Sequence, residues 1–132
     1  MKYTKKALFV TLILLVAGLV IGCKADSVEV GMVETHLGDE WHANYTTFSG
    51  TKTDTFRADA GQTLVVEYDV VVEEGMLDIQ VENPDGEVDW TVSLEDDDVD
   101  TVQVPLEQEG RYTLRIRGES TGGGWDLTWE IQ

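Results

Sequence analysis

The chain has 132 residues, room for one ordinary domain and too few for two well-buried ones. Nine Lys and Arg stand against 26 Asp and Glu, a formal net charge of −17, which argues against a nucleic-acid binder with its basic footprint. A hydrophobic fraction of 42% argues against simple disorder, and a single cysteine excludes both an internal disulfide framework and a multi-cysteine zinc site.

The chain opens with charge of one sign. Lys2, Lys5 and Lys6 precede every acidic residue, the first of which is Asp26. Behind them Ala7 to Ile21 is apolar apart from Thr11 and Gly18. About fifteen apolar residues fit a signal-peptide core and fall short of the roughly twenty needed to span a bilayer. The run ends Leu19-Val20-Ile21-Gly22-Cys23. It resembles the lipobox of bacterial lipoprotein signal peptides, with an aliphatic residue at −3 (Val20), a small one at −1 (Gly22), then cysteine. Ile21 departs from the small residue usual at −2. The resemblance implies cleavage between Gly22 and Cys23, acylation of Cys23 with chains such as palmitate, and a mature protein held on the membrane outside the cytoplasm. Two or more acyl chains anchor a soluble domain stably, where one binds only marginally. Residues 23–132 then carry 6 bases against 26 acids, a formal −20. Such charge keeps a domain soluble and is expected to repel anionic lipid.

Residues 23–44 have weak periodicity and read as the lipidated cysteine followed by a tether or edge segment. They hold both histidines, as His36-Leu37-Gly38-Asp39-Glu40-Trp41-His42. From Tyr45 the chain reads as strands, giving a domain over 45–132. Short candidates are Thr46–Ser49, Thr55–Ala58 and Val102–Leu106. Thr63 to Val72 is apolar on both faces in places and fits a central strand or one that bends between sheets. Four runs alternate strictly: Leu77/Ile79/Val81, Val88/Trp90/Val92/Leu94, Tyr112/Leu114/Ile116 and Trp125/Leu127/Trp129/Ile131. A period of two places each apolar set on one face, the mark of half-buried antiparallel strands. Asn83-Pro84-Asp85-Gly86 has the chemistry of a type I turn and predicts a hairpin. Gly118 to Gly124 reads as a flexible loop before the last strand. Seven to eight strands and no convincing helix predict an all-β, antiparallel two-sheet β-sandwich, jelly-roll-like, after an N-terminal signal peptide (residues 1–22). The four tryptophans are available to fill its core.

Three segments carry a second resemblance: Phe56 to Val72, Gly75 to Gly86 (GMLDIQVENPDG) and Gly110 to Ile131 (GRYTLRIRGESTGGGWDLTWEI). Together they look like the small jelly-roll sandwiches of the GOLD (emp24-type) and bacterial pre-peptidase C-terminal families. In those families a G-x-L-x-I strand precedes a P-D-G turn, and a later G-x-Y-x-L-x-I strand precedes the closing strand. The resemblance implies an accessory module that binds proteins, sugars or lipids, and brings no catalytic residues with it.

Candidate chemistry is sparse. His36, Asp39, Glu40 and His42 offer metal-ligand types, but a spacing of six on a strand sets the histidines about 20 Å apart. Glu95 to Asp100 is the densest acidic run; Asp96, Asp98 and Asp100 are its candidate calcium ligands. Thr101 stands where an EF-hand loop needs glycine, so any such site is of another kind, and a solvated charge run is the competing reading. Arg111, Arg115 and Arg117 share the outward face of one strand. They predict either a partner-binding stripe or cross-strand pairs with Asp126 and Glu130, or with Asp78 and Glu82. Ser49, Ser93 and Ser120 lack a nucleophile context, and no glycine-rich phosphate loop precedes a helix. The expected function is therefore non-catalytic: an interaction or envelope-accessory module with a protein or carbohydrate partner, no nucleic acid, and no cofactor. The alternative is a calcium- or carbohydrate-binding module using the 95–100 loop and exposed aromatics such as Trp41.

Overall fold

Side-chain alternation organises residues 27–132, the part of the chain that the computed structural model describes, into seven antiparallel strands. They are β1 (Ser27–Val30), β2 (Val33–Leu37), β3 (Glu40–Ala58), β4 (Gln62–Glu82), β5 (Val88–Leu94), β6 (Asp98–Leu106) and β7 (Gly110–Ile131). Residues 1–22, Gly22 and Cys23 lie outside the described residues.

Three strands are far longer than one sheet needs, and each serves two. The first half of β3 pairs with β2 and with the second half of β7, and its second half pairs with β1 and with the first half of β7. β4 divides in the same way, pairing with β6 and then with β5 while β7 runs along its other side. The two halves of the sandwich thus have the orders β2-β3-β7-β4-β6 (sheet I) and β1-β3-β7-β4-β5 (sheet II). The molecule is in effect one sheet folded over along a line that crosses β3, β4 and β7.

The fold line is written in the burial pattern. Buried residues in β4 are even-numbered from Leu64 to Val72 and odd-numbered from Leu77 to Val81. In β7 they run Tyr112, Leu114, Ile116, then Trp125, Leu127, Trp129; in β3 they run Trp41, Ala43, Tyr45, then Phe48. Each change of parity coincides with a break in register, between Tyr45 and Gly50 in β3 and between Val72 and Met76 in β4. An extra residue in a ladder bends the strand and moves the following side chains to the other face, so the inner face stays inner in both sheets. Glycine is required at two of these points. A Cβ on Gly75 (φ +69°) would strike the carbonyl oxygens of Glu119 and Ser120, and one on Gly123 (φ +128°) would strike that of Val71.

Aromatic rings fill the fold. Trp125 lies 5.8 Å from Trp41 and from Phe48, and 5.5 Å from Tyr45. Phe56 stacks on Tyr112 at 5.4 Å, and the Tyr112 hydroxyl donates to the Gln108 carbonyl (2.8 Å), pinning the turn before β7. The hairpin turn holds as expected: Gly86 N–H donates to the Asn83 carbonyl (3.0 Å), and the Asn83 side-chain oxygen accepts from the amides of Asp85 and Glu87 (3.0 Å each).

Several expectations change. Gly118 to Gly124 is not a loop but the bend inside continuous β7, because the chain must cross the fold line without leaving the ladder. Thr46–Ser49 and Thr55–Ala58 are parts of one strand, β3. Strand pairing begins at Ser27, and Trp41 and Ala43 are core residues, so the folded body reaches well before residue 45; β1 and β2 are its edge strands. Val88 is 49% exposed rather than inward, because a register shift between Val81 and Glu82 sets it opposite Glu82.

Candidate functional site

The outer faces of the two sheets are where a binding module has side chains to offer. On sheet II, cross-strand registry aligns Thr51, Arg117, Asp78 and Ser93 in one row and Thr53, Arg115, Gln80 and Thr91 in the next. Below them come Thr55, Thr113 and Glu82, then Arg57 beside Arg111. Four of the five Lys and Arg among the described residues therefore share this one face. Arg115 forms an ion pair with Glu82, while Arg57, Arg111 and Arg117 have no ion pair among the described residues. One Asp78 carboxylate oxygen is buried without a hydrogen-bond partner. β1 adds Val28 and Val30, 61% and 52% exposed, to the same face: their registry partners are Ser49 and Thr47, whereas Glu29 lies opposite the core residue Phe48.

Sheet I presents the opposite sign. Its outer face carries Glu40, Glu67, Asp69, Asp126 and Glu130, all exposed, and no Lys or Arg. Asp69 and Asp126 are direct cross-strand partners, an arrangement that is destabilising between like charges. His42 offsets part of it, its Nδ1 lying 2.7 Å from Asp126 Oδ1. Val33, Leu37, Val71 and Val99 are the exposed apolar residues of this face.

The remaining described cation closes one side of the sandwich. Lys52 reaches Glu29 (2.7 Å) and Glu34 (3.0 Å), joining β1, β2 and β3. Burial pulls its ammonium pKa down, but hydrogen bonds to the two carboxylates outweigh that and leave it raised. Beside it, His36 stacks on Trp41 (4.7 Å) and bonds Asp54 (2.8 Å). His36 shares the inner face with Trp41, its registry partner, and His42 lies on the outer face. The two histidines do not meet, and each is held by its own carboxylate.

The acidic run is tied into the fold instead of gathered round an ion. Asp97 accepts from the Val72 amide at the fold line (2.9 Å), Asp98 from the Tyr68 hydroxyl (3.0 Å), and Asp100 from the Thr101 amide (2.8 Å); Asp96 is exposed in the turn. Among the described residues no group of three or more His, Cys, Asp and Glu is arranged to hold a metal ion. Burial, then the bond to Asp98 and the charges of Asp98 and Asp100, push the Tyr68 hydroxyl up to about 12.

Two further expectations are overturned. Trp41 is 1% exposed, so it offers no ring to a ligand, and no Phe, Tyr or Trp among the described residues is exposed. Asp126 and Glu130 are not available to the arginines, since β7 carries them into the other sheet. Sequence periodicity found the stripe of Arg111, Arg115 and Arg117. It missed Arg57, whose strand gave too short a signal, and the acidic face, whose residues come from strand halves that only the fold line sorts into one sheet.

No protein-family model and no curated protein matches the sequence. Solved structures similar to it include the periplasmic inhibitor of g-type lysozyme PliG from Aeromonas hydrophila, 18% identical over 77% of this chain and 89% of that one, with a TM-score of 0.51. TmCBM61, solved with β-1,4-galactotriose, is 16% identical over 80% of this chain and 87% of its own (TM-score 0.54). A CBM4 structure is 10% identical over 78% and 79% (TM-score 0.50). These likenesses establish the fold: an all-β, jelly-roll-like sandwich.

Proposed function

We propose that the chain is a lipid-anchored, extracytoplasmic β-sandwich that works without catalysis, as a binding module of a bacterial envelope. The observation that carries this reading is the segregation of charge onto the two outer faces of the sandwich. The described residues, meanwhile, hold no nucleophile–base grouping. The lipobox-like Leu19 to Cys23 and the accessory role implied by the resemblance to GOLD and pre-peptidase C-terminal domains support it. So does a fold shared with an inhibitor and with carbohydrate-binding modules, neither of which needs chemistry of its own. The acidic face of sheet I is the surface for a partner protein with a basic surface, since complementary charge speeds encounter and fixes register. Carbohydrate binding has the neighbours' fold in its favour, but no exposed ring for a sugar to stack on among the described residues.

The experiment is crosslinked capture of the lipidated protein from its own membranes. A reproducible basic partner is expected, lost when Glu67, Asp69 and Asp126 are changed to the amides. No partner in repeated captures, or one indifferent to those changes, would overturn the reading. Anchoring is tested separately: Cys23→Ala should release the protein from the membrane fraction, and retention would refute it.

A further inference from the structure

We infer that the arginine face of sheet II lies flat against the membrane, with its guanidinium groups on anionic lipid headgroups. Val28 and Val30 sit at the interface, and the acidic face of sheet I is turned outward. The inference rests on the anchoring proposed above and adds the orientation of the domain.

Three independent features converge on this face. The first is where the chain enters it. Only Lys24, Ala25 and Asp26 separate Cys23 from Ser27, so a lipid on Cys23 is held within about 14 Å of the first residue of β1. β1 pairs with β3 at the fold-line end of sheet II, Ser27 opposite Gly50, and is separated from β7 by β3 alone. That puts Arg117, one residue beyond that pairing, about 10 Å from it, with Arg115 and Arg111 following along β7. The second is charge. Arg57, Arg111, Arg115 and Arg117 share the face with Asp78, Glu82 and, next outward along β7, Glu119, an excess of one positive charge on a chain otherwise dominated by acids. Guanidinium groups match phosphate oxygens in geometry as well as in sign. The third is apolar exposure: Val28 and Val30 belong to this face and stand closest to the anchor.

Net charge had suggested repulsion from anionic lipid. Its arrangement reverses that expectation. The sheets stack about 10 Å apart, which with side chains separates the two outer surfaces by roughly 20 Å. That is about two Debye lengths at physiological ionic strength, so the lipid surface meets the near face with the far one largely screened. A headgroup layer also suits the chemistry of this face, which is rich in Thr and Arg and free of exposed rings.

The test uses the lipidated mature protein, beginning at Cys23, in vesicles of phosphatidylcholine with or without phosphatidylglycerol. A single thiol is introduced at the centre of either face, as Thr53→Cys or Asp69→Cys, Cys23 being acylated. The rate of reaction with a polyethylene-glycol maleimide is then measured on the vesicle-bound fraction. On anionic vesicles the thiol at position 53 is expected to react about tenfold more slowly than that at 69, with the difference lost in neutral vesicles or when Arg111 and Arg117 are changed to Gln. Equal rates on protein that stays vesicle-bound would overturn the orientation and leave the anchoring intact. Protein absent from the vesicle fraction would instead refute the anchoring. Protection that persists in neutral vesicles or detergent micelles would point to a second copy covering the face, and would also overturn the proposal.

Discussion

The two outer faces of this sandwich are built by the same three long strands and carry opposite charge. Sheet II shows Arg57, Arg111, Arg115 and Arg117; sheet I shows Glu40, Glu67, Asp69, Asp126 and Glu130. A net charge of −17 therefore describes neither surface. What separates the signs is the fold line. β7 places its arginines outward before the bend and Asp126, Thr128 and Glu130 outward after it, with the parity of its core residues reversed between them.

The most severe way to break this arrangement is to obstruct the bend. Gly123→Ala puts a methyl group against the Val71 carbonyl at φ +128°, and is expected to cost about 3 kcal/mol or more in denaturant unfolding. Gly38→Ala is the control: its φ is also positive, but nothing lies within 4 Å, and a loss of about 1 kcal/mol is expected. Equal stability of the two variants would mean that β7 does not cross between the sheets in this way.

Charge changes on the two faces should act with opposite sign. Asp69→Asn relieves the like-charge pair with Asp126 and is expected to stabilise by about 0.5 kcal/mol. Arg115→Met removes the partner of Glu82 and is expected to destabilise by about 1 kcal/mol. Both effects should shrink as salt rises, and thermal unfolding at two ionic strengths reads them directly.

The smallest effect at neutral pH belongs to Tyr68, where the acidic run is fastened to the core. Its folded pKa is raised from 10.0 to about 12, by burial first and then by the bond to Asp98. A raised pKa favours the protonated group in the folded state, so its contribution is complete below pH 10 and is lost as pH climbs through about 12. Tyr68→Phe should flatten the decline in melting temperature over that range. Unchanged steepness would show that the hydroxyl is not held by Asp98.

Strict alternation in 77–81, 112–116 and 125–131 was enough to read the inward faces, the antiparallel pairing and the sandwich class from sequence. Periodicity acts within a strand half, so it could not show that 110–117 and 124–131 belong to different sheets. Gly122-Gly123-Gly124 has the composition of a loop; only the close approach of the Val71 carbonyl makes it a bend inside a ladder. β1 and β2 read only as a tether or edge segment for a related reason. As edge strands they bury little, and Val28, Val30, Val33 and Leu37 spend their apolar surface outward. Asp96 to Asp100 drew attention as ligands because carboxylate density is visible in sequence, whereas the bonds of Asp97 to the Val72 amide and of Asp98 to Tyr68 are not.

The position of β7 also sets a timetable. It is the last of the described strands, yet it lies between β3 and β4 in both sheets. Until residue 110 and its successors arrive, β3 and β4 have bare edges along most of their length, and neither sheet can close. A chain delivered from its N-terminus thus gains little stable structure on the way and completes the domain in one late step. That order of assembly would suit the export proposed above, in which the polypeptide is threaded across a membrane before it folds.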